Sequence, residues 1–234
     1  MGIWDDLLSE EDRQVIAGRS PRKQFGFGER PALLVIDNYL GAIGEDRPIP
    51  EQLDKYPGAC GPYAWAAIRQ TQKLLPRARE AGIPVIYSRH VYRAIHGLPK
   101  ATDPTFGFSE LSPLSQIIPE IAMQPGDLLI EKQRPSVFFQ TGLIYILLNK
   151  KVDSLIVVGN STSGCVRATV IDGAGYEFKV SVIEECVFDR IQMSHKASLF
   201  DLQFKYCDVV SLDQTMDYLE TVKTSQRAPV LTGA

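Results

Sequence analysis

Hydrophobic residues occur in short continuous runs that alternate with segments in which they recur at helical spacing. The runs predict strands at 32–37, 84–88, 127–132, 154–158, 179–183 and 208–210, and the helical spacing predicts helices at 4–18, 63–81, 141–150, 166–171 and 194–206. Continuous apolar runs are typical of strands that are buried on both faces of a parallel sheet. The alternation therefore predicts a three-layer α/β/α fold, with a Rossmann-like parallel sheet of about six strands flanked by helices.

This pattern divides the chain into an N-terminal arm, residues 1–28, and a single domain, residues 29–234. The arm either packs on a neighbouring subunit or frays. Within the domain, Pro76 should kink or split its helix, and Thr141 is the expected cap of the next one. The segment 89–126 has weak periodicity, and a loop of that length usually serves as a lid or a subunit contact.

Composition excludes several classes of function. A net charge of -3 and a pI near 5.7 give no basic surface for nucleic acid. The acidic N-terminus lacks the features of a secretory signal, and no apolar run approaches the roughly 18 residues of a membrane span. We therefore expect a soluble, cytoplasmic protein with no membrane or nucleic-acid partner. Its cysteines are widely separated, which favours free thiols over disulfides or a metal site: Cys60, Cys165, Cys186 and Cys207.

Reactive side chains follow three of the predicted strands. Asp37 ends the first apolar run, Lys132 ends the third, and Cys165 follows the fourth after a turn of small residues. Because the carboxyl ends of parallel strands share one edge of a sheet, these groups can converge there. A carboxylate can accept the proton of a thiol, and a nearby ammonium favours both anions. The set predicts acyl transfer through a thioester.

Cys165 is the centre of this prediction. It is expected at a helix N-terminus, where the backbone dipoles should make a thiol ionise more readily and could hold an oxyanion. The alternative is an inert, buried cysteine. The spacing Gly159-x-x-x-x-Gly164 resembles a P-loop, but Cys165-Val166 replaces the residues that bind phosphate and magnesium. No dinucleotide fingerprint follows the first strand, and His90, His96 and His195 lack helical metal-site spacing.

Three segments resemble the signatures of the isochorismatase-like cysteine hydrolases: 32–37, 131–139 and 161–169. Within that family, the segments 63–67 and 185–190 most resemble the N-carbamoylsarcosine amidases. The resemblance covers about residues 25–210. It implies that Asp37 is a general base, Lys132 a supporting cation and Cys165 the nucleophile.

The resemblance also implies roles around these three groups. Backbone amides of Ser161 and Cys165 would form the oxyanion hole, next to a cis peptide between Asn160 and Ser161. Arg190 would hold a substrate carboxylate, and Asn160 and Thr162 would also contact substrate. Metal-binding members carry an Asp-x-His pair after the second strand. Here Ser88-Arg89-His90 departs from that pair, so no metal or other cofactor is expected.

The first hypothesis is thus a hydrolase of linear amide C–N bonds that acts on a small carbamoyl, ureido or amide compound bearing a carboxylate and releases ammonia. Substrates left open by the resemblance are N-carbamoyl amino acids, maleamate, biuret, ureidoacrylate and nicotinamide. A non-catalytic thiol sensor on the same scaffold is the alternative from another class. An isochorismatase acting on a vinyl ether is less favoured, since that chemistry does not need the thiol. The family implies a homodimer or homotetramer.

Overall fold

The computed structural model describes residues 2–20, 23–91 and 112–227. Its strands are β1 (Pro31–Ile36), β2 (Val85–His90), β3 (Leu128–Lys132), β4 (Ser154–Asn160), β5 (Lys179–Phe188) and β6 (Asp208–Val210). Its α-helices are α1 (Glu10–Ala17), α2 (Leu40–Ile43), α3 (Pro62–Glu80), α4 (Leu143–Asn149), α5 (Arg167–Gly175), α6 (Gln192–Lys205) and α7 (Leu212–Arg227). Single 3₁₀ turns occur at Asp5–Leu7, Ile49–Glu51, Pro113–Ser115 and Pro119–Ile121, and a π-helical turn at Thr162–Val166 precedes α5.

The strands form one parallel sheet in the order β3-β2-β1-β4-β5-β6. β1 pairs with both β2 and β4, so the chain winds outward from β1 in one direction and then from β4 in the other. In open α/β sheets such a reversal leaves a crevice beyond the carboxyl ends of the two central strands, where ligands bind. The predicted parallel sheet is confirmed.

Side chains of successive strand residues point to opposite faces of the sheet, and each face has its own core. Leu33 and Val35 of β1 pack in the cluster that contains α3 and α7. Ala32, Leu34 and Ile36 pack in the cluster that contains α4, α5 and α6. The alternation along β1 thus confirms the three-layer α/β/α arrangement.

Several local predictions need correction. Pro76 does not split its helix, because α3 continues from Pro62 to Glu80. Thr141 lies one residue before the cap position, Gly142, although its hydroxyl accepts from the N–H of Leu143 at 3.2 Å. Helix α7 is absent from the sequence prediction. Of the predicted loop 89–126, the first two residues belong to β2, two short 3₁₀ turns follow residue 112, and 92–111 lie outside the described residues.

The N-terminal arm is less helical than predicted. Ser9 caps α1 by a capping box with Asp12, so the helix begins only at Glu10. The ring of Trp4 packs edge-on against the ring of Phe200, with 6.1 Å between the ring centroids. This contact places the arm on α6 of its own chain. Packing on a neighbouring subunit and the domain boundaries stay predictions. In the described part of the chain, no helix combines the length and hydropathy needed to cross a bilayer.

Candidate active site

Asp37 is the first residue after β1, and its conformation is fixed by the strands on both sides. Asp37 has a positive φ of 52° and is 2% exposed. Its backbone N–H donates to the carbonyl of Ser88 on β2 at 3.1 Å, and its own carbonyl accepts from the amide of Asn160 on β4 at 2.6 Å. These bonds hold in place a left-handed conformation that few non-glycine residues adopt.

Lys132 reaches the Asp37 carboxylate from the edge strand β3. It ends β3, and β2 lies between β3 and β1. Its Nζ lies 2.6 Å from Oδ2 of Asp37 and 3.3 Å from Sγ of Cys165, and its side chain is fully buried. Because neighbouring strands are about 4.8 Å apart, only a long side chain can cross β2 in this way. The structure therefore brings together the predicted acid, cation and thiol.

Cys165 is presented by the turn between β4 and α5. The predicted cis peptide joins Asn160 to Ser161, and the chain then makes the π-helical turn that contains the cysteine. Gly159 precedes this turn with a φ of 109°, and a Cβ there would collide with the carbonyl oxygen of Ile36. The hydroxyl of Thr169 on α5 donates to the Cys165 carbonyl at 2.7 Å, which fixes the turn to the helix.

Electrostatics at the thiol differ from the prediction. Burial raises the pKa of Cys165 to about 12, the Asp37 carboxylate raises it as well, and Lys132 opposes both effects. The expectation that this thiol ionises more readily than a free one is therefore wrong, since burial and the carboxylate outweigh the ammonium. Burial also lowers the pKa of Lys132, but Asp37 and then Cys165 raise it by more, so the ammonium is charged. The resting site contains an Asp–Lys ion pair beside a neutral thiol.

A cavity of about 80 Å³ opens onto these groups. Its lining residues come from the carboxyl ends of β1, β2, β4 and β5 and from the segments after them: Asp37, Tyr39, Gly41, Ala42, Gly58, His90, Asn160, Ser161, Cys165 and Arg190. Arg190 is half-buried, and its guanidinium donates to the carbonyl of Pro57 at 3.3 Å. Five residues predicted for the site therefore share this cavity: Asp37, Asn160, Ser161, Cys165 and Arg190.

Thr162 differs from the other predicted site residues. It is fully buried and does not line the described cavity. Its hydroxyl lies 2.8 Å from Nδ1 of His195 on α6. Burial lowers the pKa of His195, an effect that Lys196 reinforces and that Asp189 partly opposes. Thr162 thus connects the cysteine turn to α6.

Asp189, which the sequence reasoning did not select, stabilises the same turn. It follows β5, is 3% exposed, and accepts from both the N–H and the hydroxyl of Ser163, at 2.9 and 2.7 Å. Its other oxygen accepts from the N–H of Ile191 at 3.4 Å. Its position directly before Arg190, at the carboxyl end of a strand, was the signal that could have identified it.

Tyr39 and Ser88 are the other site residues that sequence reasoning missed. Tyr39 lines the cavity, and burial raises the pKa of its phenol well above the usual value, with Asp37 adding to the effect. Ser88 donates to Oδ1 of Asp37 at 2.8 Å. Among the described residues, no three His, Cys, Asp or Glu side chains are grouped as ligands for a metal ion.

Fold and site together define the class: an α/β protein whose cavity lies at the reversal of the strand order and is lined by a thiol and a carboxylate, with a buried ammonium in contact with both. A model of the isochorismatase domain matches residues 31–214. The chain belongs to the isochorismatase family, and the predicted family and enzyme class, a hydrolase, are confirmed.

Two relatives with named activities are similar to this chain over most of its length. The chain is 34% identical over 202 residues to the maleamate amidohydrolase of Pseudomonas putida, a match covering 84% of this chain and 90% of that protein. It is 31% identical over 223 residues to the N-carbamoylsarcosine amidase of an Arthrobacter species, covering 91% and 80%. The crystal structure of a cysteine hydrolase from Pseudomonas syringae pathovar phaseolicola superimposes with a TM-score of 0.76 at 21% identity, covering 87% of this chain and 99% of that one. That structural likeness bears on the fold alone.

Proposed function

We propose that this protein is a cysteine-dependent amidohydrolase that cleaves the linear C–N bond of a small amide or carbamoyl compound bearing a carboxylate. The observation that carries the proposal is the position of the Lys132 ammonium, 2.6 Å from the Asp37 carboxylate and 3.3 Å from the Cys165 sulfur. The two named relatives, a maleamate amidohydrolase and an N-carbamoylsarcosine amidase, support the reaction type.

In the first half of the reaction, Sγ of Cys165 attacks the carbonyl carbon while Asp37 accepts the thiol proton. A thiol with a pKa of about 12 needs such a base, because almost none of it is ionised at neutral pH. Backbone N–H groups of Ser161 and Cys165 stabilise the oxyanion. The C–N bond then breaks, and Asp37 returns the proton to the departing nitrogen, which leaves as ammonia. The acyl group remains on Cys165 as a thioester.

In the second half, water replaces the departed ammonia. Asp37 accepts a proton from this water as its oxygen attacks the thioester carbon. The C–S bond breaks, the sulfur regains a proton from Asp37, and the carboxylic acid product leaves. Lys132 stays charged throughout.

Arg190 supports a substrate that bears a carboxylate. Arg190 lines the same cavity as Cys165, and a planar guanidinium binds a carboxylate by paired, charged hydrogen bonds. A cavity of about 80 Å³ favours a compact substrate. Both features fit short amides with a carboxylate at the far end, and maleamate and N-carbamoylsarcosine are the first to test.

The decisive experiment is ammonia release over a panel of maleamate, N-carbamoylsarcosine, biuret, ureidoacrylate and nicotinamide. Cys165→Ala should abolish release while the circular dichroism spectrum and melting temperature stay those of a folded protein. With the best substrate, mass spectrometry after rapid acid quench should show an acyl adduct on the peptide that contains Cys165. Full activity of Cys165→Ala would refute the nucleophile.

The carboxylate preference has its own test. If maleamate is hydrolysed, Arg190→Gln should raise its KM by roughly 10- to 100-fold, the loss expected for a charged hydrogen bond. The neutral diamide of maleic acid should be affected much less. An equal loss for both compounds would contradict the assignment of Arg190.

The thiol-sensor alternative loses support from the structure. Peroxide reacts with thiolates, and burial together with the Asp37 carboxylate raises the pKa of Cys165 to about 12. Rapid formation of a sulfenic acid by dilute peroxide, without ammonia release from any amide, would favour the sensor.

A further inference from the structure

Ser88 makes an unusual set of contacts with the proposed base. It lies in β2 opposite Ile36 and is 1% exposed. Its hydroxyl donates to Oδ1 of Asp37 at 2.8 Å and also accepts from the backbone N–H of Asp37 at 3.3 Å. One hydroxyl group thus contacts both the main chain and the carboxylate of a residue in the left-handed conformation.

The two oxygens of Asp37 have different partners. Oδ1 accepts from the neutral hydroxyl of Ser88, and Oδ2 accepts from the charged Nζ of Lys132 at 2.6 Å. These partners lie on different strands, β2 and β3, so together they fix the plane of the carboxylate. A bond from Lys132 alone would leave the group free to rotate about that contact.

We propose that Ser88 is a positioning residue that orients the Asp37 carboxylate for proton transfer with Cys165 and favours its ionised form. The inference rests on the proposed function, in which Asp37 takes the thiol proton. Ser88 touches neither substrate nor the reacting sulfur in this scheme. It acts through Asp37 only.

The effect on ionisation follows from the direction of the hydrogen bond. A hydroxyl that donates to a carboxylate stabilises the charged form and gains less from the protonated form. Other ionisable groups also face Asp37 or share its cavity, and substitution of Ser88 leaves them unchanged: Lys132 on β3, Cys165 in the π-helical turn, Tyr39 after β1, His90 on β2 and Arg190 after β5. A change in the pH dependence can therefore be assigned to the lost hydroxyl.

The test uses Ser88→Ala and Ser88→Cys, which remove the hydroxyl or replace it by a weak donor. The acid limb of kcat/KM, measured on the best amide of the panel, should move to higher pH by about one unit. At pH values well below the acid limb of both proteins, this corresponds to a loss of roughly ten-fold. Ser181→Ala is the matched control, because Ser181 is equally buried in β5 but pairs with Ile156, toward the other end of the sheet. Its profile should match the wild type.

A second readout does not depend on the substrate. In protein labelled with ¹³C at aspartate carboxyl carbons, the Asp37 signal, assigned by its loss in Asp37→Asn, should titrate at higher pH in both Ser88 variants than in the wild type. An unchanged titration in folded Ser88→Ala would overturn the role of Ser88, even if the enzyme hydrolyses amides. Absence of ammonia release from every amide together with a shifted titration would instead refute the proposed function and leave the Ser88–Asp37 coupling standing.

Discussion

Removal of the Lys132 ammonium gives the sharpest test of the site. The side chain is fully buried and lies 2.6 Å from the Asp37 carboxylate, so Lys132→Met leaves a buried carboxylate without its partner. Breaking a buried ion pair on one side costs about 3–5 kcal/mol of folding free energy. The variant should therefore lose that amount in urea unfolding at pH 7 and should also lose turnover.

A double-mutant cycle separates the pair from simple loss of packing. Asp37→Asn removes the charge that Lys132 compensates, so the double variant should be more stable than the sum of the single losses predicts, by about 2 kcal/mol. Lys55→Met is the control, because Lys55 pairs with Glu45 at 2.7 Å on the surface, with its side chain 61% exposed. The urea midpoint should barely change in that variant. Additivity of the Lys132 and Asp37 losses within about 0.5 kcal/mol would refute the coupling.

The pH dependence of this stability has a defined sign. The folded protein raises the pKa of Lys132 above its ordinary value of 10.5, because Asp37 and Cys165 outweigh the effect of burial. The contribution of the pair is thus complete below pH 10.5 and is lost as pH rises through the folded-state pKa. The stability difference between wild type and Lys132→Met should narrow above that pH. A difference that widens there would contradict the argument.

Three further predictions follow from contacts in the site and core. Alkylation of Cys165 by iodoacetamide should be slow at pH 8 and accelerate toward pH 12, because the pKa of the thiol is raised. The Asp37 carboxylate contributes to that rise, so Asp37→Asn should speed alkylation at pH 8. Slower alkylation of the variant would contradict the effect of the carboxylate. Asp189→Ala removes the acceptor of two bonds from Ser163 and should lower kcat by about ten-fold or more with a smaller change in KM, as steady-state kinetics would show. Leu219→Ala on α7 should cost about 2–5 kcal/mol in urea unfolding, since the residue is 2% exposed, and a loss below about 1 kcal/mol would mean that α7 is not part of the core.

The convergence of Asp37, Lys132 and Cys165 was predictable because it depends on topology. Each residue follows or ends an apolar strand, and parallel strands place all such ends at one edge of the sheet. Which strands are neighbours was not predictable from the pattern. The order in which β2 separates β3 from β1 explains why the cation is a long lysine.

Helix α7 was missed although its signal is present. Its apolar residues recur at helical spacing and pack on the face of the sheet that also holds α3: Leu212, Met216, Leu219 and Val222. Ser88 gave a signal of another kind, since it stands where metal-binding members of the family carry an aspartate, and that signal concerned a metal rather than Asp37. It is an ordinary strand residue in sequence, and only the register of β2 against β1 places its hydroxyl beside Asp37.

The ionisation of Cys165 could not be predicted from its place in the chain, because opposing effects meet there and burial is the largest of them. Lys132 favours the thiolate, whereas burial and the Asp37 carboxylate favour the thiol. Their balance depends on distances that the sequence does not contain. The outcome matters for mechanism, since a protonated resting thiol requires a base and a preformed thiolate does not.

The arrangement of charges explains how a buried site can use such a thiol. In the proposed reaction the proton moves from Cys165 to Asp37, so the negative charge passes from carboxylate to sulfur while Lys132 keeps its positive charge. The number of charges in the cavity is the same before and after, and burial therefore does not oppose the transfer as it would oppose ionisation into water. Because Nζ lies 2.6 Å from the carboxylate and 3.3 Å from the sulfur, one ammonium stabilises the anion in both states. With a neutral histidine as the base, the same transfer would create two new charges, an imidazolium and a thiolate, which this buried site would penalise.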